Sequence, residues 1–287
     1  MIVAVDRRRF LAGLAALSVP GAARAAIRPA SGFWYTTGLG GRGVGLEMDA
    51  SGRRAYLGWY TYDADGHDVW YVGTCAYDGT TCDGTLAQYA GGTPFAGLGL
   101  QARPPDIVGN VATVSLRFAG DSVAVAAIRL ADGSAARYDL ARCPLDGNAV
   151  TPAPDWAPQT GWWYSPDYPG TGFFLESQGE VVIGGEVHTR FFLVGMTYGD
   201  AGQAIWYATG GLYARVPTAG GLLPTLAGML YEYAGGATLA GSIPAGTSGR
   251  LRILGERGSI RAQFTTTGEG VLDLPAGRRL AIRRFTF

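Results

Sequence analysis

The chain of 287 residues predicts an all-β protein made of two duplicated antiparallel meander domains, and two observations carry that expectation. The first is repetition. Gly32-Phe33-Trp34-Tyr35 returns as Gly161-Trp162-Trp163-Tyr164, and Gly43 with Glu47 returns as Gly172 with Glu176 at the same offset. Tyr62, Gly66, Trp70 and Tyr71 return as Tyr198, Gly202, Trp206 and Tyr207. The offset grows by seven residues on the way (198 minus 62 against 176 minus 47), so the second copy carries an insert, around His188. Duplication over half a chain means two similar domains rather than a stack of short repeats. The second observation is periodicity: past the first 25 residues, short aromatic and β-branched runs recur between Gly, Asp and Pro breaks. With 46 glycines and 11% aromatics, composition departs from the average toward turn-rich β-structure.

In the first copy the expected strands run over residues 33–36, 43–49, 55–62, 68–75, 85–89, 112–118, 123–130 and 135–140. Asp65-Gly66 and Asp132-Gly133 lie between adjacent runs and predict two-residue hairpin turns, where positive φ is needed. Eight consecutive hairpin-linked strands close most economically into a small up-and-down barrel, which removes exposed sheet edges. A β-sandwich is the alternative. The first domain is expected over residues 30–145 and the second over 159–287. Pro144, Pro152, Pro154 and Pro158 interrupt any strand between them, which predicts a linker at 146–158. Tyr56 to Tyr62 and Val69 to Val72 are apolar or aromatic on both strand faces. One face fills the domain; the other requires a second cover, for which the partner copy is the nearest candidate.

The N-terminus predicts an export signal, because Arg7, Arg8 and Arg9 precede an apolar stretch too short to span a bilayer, closed by Pro20 and small residues. The arginine pair Arg7-Arg8 before Phe10-Leu11 fits the twin-arginine route, with cleavage between Ala25 and Ala26. The expected partner is the twin-arginine export machinery, the location periplasmic or secreted, and no transmembrane helix is left after processing. Lysine at Arg7, Arg8 and Arg9 is expected to hold the precursor in the cytoplasm, and normal periplasmic accumulation on fractionation would refute this route.

Removing residues 1–25 leaves 19 basic against 22 acidic residues, a net charge near −3, which predicts no nucleic-acid surface. Every basic residue is arginine. Cys75, Cys82 and Cys143 belong to a chain bound for an oxidising compartment, where pairing is the default. Cys75 and Cys82 flank a turn at Asp78-Gly79 and are the expected pair, with the other two pairings formally open.

At these motifs the chain resembles a group of secreted bacterial proteins whose modules read Gly-x-Trp, a Gly-x-Gly stretch, an aromatic strand, an Asp-x-x-Gly turn and a Trp-Tyr, closing on Arg-Phe-x-Phe as at Arg284 to Phe287. That resemblance implies no particular activity. The Gly-x-Trp opening is also similar to that of the calycins, the lipocalin and avidin class, which implies that Trp34 and Trp163 plug the closed end of each barrel.

Chemistry has few carriers. His67 and His188 are the two histidines, and no nucleophile elbow, zinc-protease pair or phosphate loop is present, so no metal or cofactor is expected. Glu47 and Glu176 stand out as twin carboxylates in strands of Gly and apolar residues; each suits a ligand contact, a raised-pKa acid or, more simply, an internal arginine or backbone partner. Trp34, Tyr62, Trp70 and Tyr71, with Trp163, Tyr198, Trp206 and Tyr207, suit either a domain core or a pocket for a sugar or flat ligand. The leading expectation is a non-catalytic binder of a small molecule, glycan or envelope partner. The alternatives are an envelope hydrolase or isomerase using Glu47 or Glu176, a structural or partner-binding module, and an outer-membrane barrel suggested by the C-terminal Phe285-Thr286-Phe287 but opposed by Arg283 and Arg284 on both strand faces.

Overall fold

The computed structural model describes residues 26–38, 40–95 and 103–287, the side chain of residue 276 excepted. Arg7, Arg8 and Ala25, expected from the sequence to belong to an export signal, lie outside that range. The first copy folds as β1 (Gly32–Thr36), β2 (Gly43–Met48), β3 (Arg54–Tyr62), β4 (Asp68–Tyr77), β5 (Thr81–Ala90), β6 (Asp106–Phe118), β7 (Val123–Leu130) and β8 (Ala135–Arg142). The second folds as β9 (Gly161–Tyr164), β10 (Gly172–Ile183), β11 (Glu186–Tyr198), β12 (Ala204–Thr218), β13 (Gly221–Ala234), β14 (Arg252–Phe264), β15 (Glu269–Leu274) and β16 (Arg278–Arg284). Each set pairs antiparallel in sequence order and closes first strand to last, giving two closed barrels. The expected architecture is thus the observed one, and the sandwich alternative falls.

Alternation places Trp34, Val44, Leu46, Leu57 and Trp59 inside the first barrel and Trp163, Phe173, Leu175, Phe191 and Leu193 inside the second. At the lower end of the first barrel, Ile27 packs against the core and donates its N–H to the Gly79 carbonyl (3.1 Å). β5 and β6 begin earlier than the sequence predicts, at Thr81 and Asp106, because Gly84 and Gly109 interrupt the pattern without ending the strands.

The turns differ from expectation in kind. Residues 63–67 join β3 to β4, and Asp63 N–H and Gly66 N–H bond to His67 O and Asp63 O. Residues 131–134 join β7 to β8 in the same style, with Leu130 N–H on Ser134 O and Gly133 N–H on Leu130 O. These are longer loops in which Gly66 (φ 85°) and Gly133 (φ 87°) take the left-handed position, so Asp-Gly marks the turn without being the whole of it.

The insert of the second copy lengthens the β10–β11 hairpin beyond the barrel, leaving Val182 and Ile183 exposed. Cys75 and Cys82 form a disulfide across the β4–β5 hairpin, worth about 2.5 kcal/mol for so short a loop. Cys143 is a free, half-buried thiol whose pKa is pushed up by burial and then by the Glu176 carboxylate. The segment between the barrels is pinned to the second one rather than loose: Leu145 N–H bonds Gln178 Oε1 (3.0 Å), Gly179 N–H bonds the Thr151 carbonyl (3.2 Å), and Ala157 is buried. No helix among the described residues is long and apolar enough to cross a membrane.

Candidate functional site

The outward faces of β3 and β4 meet those of β11 and β12, so the cover that the two-sided apolar strands require is the other barrel. Tyr60, Tyr62, Trp70 and Val72 pack there with Trp162, Phe174, Tyr198 and Trp206 in one apolar seam. The contacts are reciprocal. Trp70 Nε1 donates to the Thr197 carbonyl (3.1 Å) and Trp206 Nε1 to the Thr61 carbonyl (3.2 Å). Equivalent residues exchange equivalent bonds, as in a two-fold dimer contained within one chain.

The twin carboxylates obey the same reciprocity. Glu176 Oε1 accepts from Arg142 Nη2 (2.5 Å) and Oε2 from Arg142 Nη1 (2.9 Å), and Oε2 also takes the Phe33 N–H, all from the first barrel. Glu47 takes the mirror set from the second: Arg284 Nη1 (3.1 Å), Arg284 Nη2 and the Trp162 N–H (2.8 Å). Each guanidinium also bonds the carbonyl of the same neighbour, Arg142 to Phe33 O (2.7 Å) and Arg284 to Trp162 O (2.6 Å). The first pair is almost fully buried, with side-chain exposures of 4% and 1%; the second is a little more open at 12% and 11%. Gly32 and Gly161 make room for these forks, since a Cβ on Gly32 would sit 2.1 Å from Arg142 Nη1 and one on Gly161 2.3 Å from Glu47 Oε2. That is the physical content of the glycine in each Gly-x-Trp. Each carboxylate thus has both oxygens committed, to the arginine fork and to a backbone N–H.

The barrel mouths are stoppered by exchange. The β5–β6 connection sends Phe95 into the core of the second barrel, with Phe95 N–H on Thr197 Oγ1 (2.7 Å). The β13–β14 connection sends Leu239 into the core of the first, with Thr61 Oγ1 donating to the Ala237 carbonyl (2.8 Å). An arginine latches each stopper: Arg278 Nη1 reaches Pro94 O (3.3 Å) from over the Tyr168 ring, and Arg42 Nη1 reaches Thr238 O (3.1 Å) from over the Tyr138 ring. The latches come from non-equivalent positions of the two copies, Arg42 just before β2 and Arg278 at the start of β16, so repetition alone does not reveal them.

Trp34 and Trp163 lie inside their barrels, their Nε1 atoms on the Ala30 and Gln159 carbonyls (3.2 and 3.1 Å). Trp70 and Trp206, by contrast, are not core plugs of their own domains. They are outward-facing and buried by the opposite barrel, because β4 and β12 present them on the seam face. Tyr62 and Tyr198 lie beside them, each ring against a glycine of the other copy, Gly236 and Gly92. Tyr207 belongs to the second-barrel core, and its twin Tyr71 is half-buried, packing against both the first-barrel core and the seam.

Two recesses flank the seam in equivalent places. One, of about 260 Å³, is lined by Tyr56, Trp70, Tyr89, Trp162, Tyr198 and Phe285 among others, with no charged residue in its wall. Its counterpart, of about 190 Å³, has Phe33, Phe192, Trp206 and Tyr233 in the corresponding places and is narrowed by Tyr60 and Leu251. A stacked pair walls each: Trp70 on Tyr89 (6.1 Å, 22°) and Trp206 on Tyr233 (5.5 Å, 18°). Trp162 needs Gly58 opposite it, where a Cβ would fall 2.0 Å from the indole.

Asp68 breaks the symmetry, its twin position being Ala204. Its Oδ2 accepts the Trp206 N–H (2.7 Å) in the buried seam. Burial, with Glu232 adding repulsion, pushes its pKa up to about 7 against the Trp206 bond, which acts the other way. A raised folded pKa favours the protonated form, so this contribution is complete below the unfolded value near 4 and is lost as pH rises through 7, up to about 4 kcal/mol. Asp68→Asn keeps the acceptor and removes the charge. It is expected to raise the melting temperature more at alkaline than at acidic pH; an equal effect at both would refute the assignment.

Sequence reasoning missed Arg142 and Arg284, although each ends the last strand of its copy. His67 is exposed on its turn, and the neighbouring Asp63 Oδ1 already accepts the Asp65 and His67 N–H groups (2.9 Å each). His188 Nδ1 lies 3.0 Å from the Tyr213 carbonyl. Comparison of the chain with protein-family models, curated proteins and solved structures finds no match in any of the three.

Proposed function

We propose that this is an exported, non-catalytic binding protein in which two barrels serve as scaffold and recognition occurs at the aromatic recess beside their seam. One observation carries the proposal: the positions where such a fold usually works are already occupied from within. Both mouths hold a stopper from the neighbouring barrel, and both twin carboxylates hold an arginine and a backbone N–H. Acid/base catalysis by Glu47 or Glu176 would require breaking a buried pair first, which favours binding over a hydrolase or isomerase. Apolar barrel interiors are the inverse of a lipid-spanning barrel with a polar lumen, which favours a water-facing molecule. The disulfide suits a periplasmic or secreted location, reached through the twin-arginine machinery.

A thermal-shift screen of small molecules against the exported protein tests this. The expected hit raises the melting temperature of the parent protein and not of Tyr89→Ala, which removes one wall of the recess. A hit that stabilises both equally would place recognition elsewhere.

A further inference from the structure

The wider recess keeps open a space that its twin fills with protein. Met196, two residues before Tyr198, stands where the other copy has Tyr60, two residues before Tyr62, and Tyr60 is what narrows the other recess. The architecture therefore accepts a large ring at this position and does not need the space. Leaving it open forgoes packing contacts along the whole lining.

Eight of the sixteen residues that line the wider recess are aromatic, and none of the sixteen is charged. Thr171 lines it where the narrower recess has Arg42. Most polar side-chain atoms of this wall are turned away from the space or already bonded. Trp162 Nε1, Tyr198 OH and Ser165 Oγ are closed off from solvent. Trp70 Nε1 and Trp163 Nε1 donate to the Thr197 and Gln159 carbonyls, Thr171 Oγ1 donates to the Tyr168 carbonyl, and Tyr164 OH accepts from Arg283 Nε (2.7 Å). Only the Tyr56 and Tyr89 hydroxyls carry no such commitment. Ring and aliphatic carbon thus make up most of the surface offered to a ligand.

We infer that this recess takes a neutral aromatic molecule of one or two rings, lodged against the stacked pair Trp70 and Tyr89. The inference rests on the binding role proposed above and names its ligand class. Size sets the ring count: an apolar cavity of about 150 Å³ holds benzene, drug-sized ligands occupy about 300 Å³ upward, and this recess of about 260 Å³ lies between. An ion would lose its hydration against a wall with no counter-charge, and a sugar would exchange water for carbon. An alkyl chain suits the apolar wall but must be ordered about each bond to stay in so short a space. A rigid ring arrives ordered, and it gains the edge and face contacts that aromatic pairs favour. The wall presents both, since Tyr56 meets Trp162 edge to face (5.3 Å, 75°) while Trp70 and Tyr89 lie stacked (6.1 Å, 22°).

The test is a calorimetric titration of the exported protein with indole. Indole-3-acetate and tryptamine carry the same ring with a negative or a positive charge, and 1-octanol and cellobiose stand for the alkyl and sugar classes. Indole is expected to bind, and the other four to bind at least about tenfold more weakly. Met196→Tyr, which copies the filled twin, is expected to abolish indole binding and keep the melting temperature of the parent. Tyr89→Ala is expected to weaken binding about tenfold, while Tyr233→Ala, the same change at the narrower recess, stays within about twofold. If Met196→Tyr melts lower than the parent, the Tyr89→Ala and Tyr233→Ala pair decides alone. Equal weakening by Tyr233→Ala, or indole binding that survives in a stable Met196→Tyr protein, would overturn the placement. A charged indole bound as tightly as indole, or tighter binding of octanol or cellobiose that Tyr89→Ala removes, would overturn the ligand class and leave the binding role standing. Binding of no probe at millimolar concentrations would overturn the ligand class alone if the thermal-shift screen yields a hit that Tyr89→Ala loses, and would remove both readings if the screen yields none.

Discussion

Alanine at Glu176 is expected to cost about 3 to 5 kcal/mol, because it leaves the Arg142 guanidinium buried without its counter-charge and the Phe33 N–H without its acceptor. For two barrels of this size that corresponds to a melting temperature lower by about 10 °C. The cost comes from stranding a charge rather than from the pair's own net attraction. Replacing both members, Arg142→Met with Glu176→Met, should therefore recover most of the loss. Chemical denaturation of the parent, the Glu176→Ala protein and the doubly substituted protein gives the answer directly. A Glu176→Ala protein within about 1 kcal/mol of the parent would show that the pair does not bridge the barrels. The more open pair, Glu47 with Arg284, is expected to follow in the same direction with a smaller effect.

The second large effect belongs to the seam tryptophans. Trp70→Ala and Trp206→Ala are each expected to cost about 3 to 5 kcal/mol, the ordinary loss for a buried indole, here with the Thr197 or Thr61 carbonyl left behind. What separates them from Trp34→Ala is where the damage falls. Truncating Trp34 hollows one barrel and should lower protection from hydrogen exchange throughout β1 to β8. Truncating Trp70 or Trp206 should leave both barrels closed and open the seam, so that exchange rises first in β4 and β12 and protease cuts the chain between Pro144 and Pro158. Loss of protection confined to the barrel carrying the substitution would mean that these indoles serve their own domain after all.

The eight strands of the first copy, their order and the need for a cover on β3 and β4 were legible in the sequence, because aromatic runs between Gly and Asp breaks report local geometry. The Cys75 to Cys82 bridge was legible for the same reason. What the sequence hid is where a side chain goes after leaving its strand. Glu47 and Glu176 were conspicuous, yet nothing in the spacing says whether a carboxylate on the outer face reaches solvent, a ligand or the other barrel. Arg142 and Arg284 end their last strands in equivalent places, but one precedes cysteine and the other phenylalanine, so the repeat fades there. Tyr89-Ala90-Gly91-Gly92 recurs as Tyr233-Ala234-Gly235-Gly236, and Phe95 and Leu239 follow the two at equal distances. As loop residues of different type, they carry no periodic signal that would announce them as the stoppers of a neighbour's core.

The exchange of stoppers and ion pairs has a further consequence for the two recesses. In a dimer of identical subunits every substitution is made twice, so a change that narrows one recess narrows the other. Fusion into a single chain lifts that restriction and also keeps the halves at a high effective concentration, on the order of millimolar, whatever the cellular level of the protein. The recess walled by Phe33, Tyr60 and Leu251 is therefore free to be narrower than the one walled by Trp162, although each is built from residues of both barrels. The molecule holds one plan in two versions, and a residue changed at one recess leaves its equivalent at the other recess as it was.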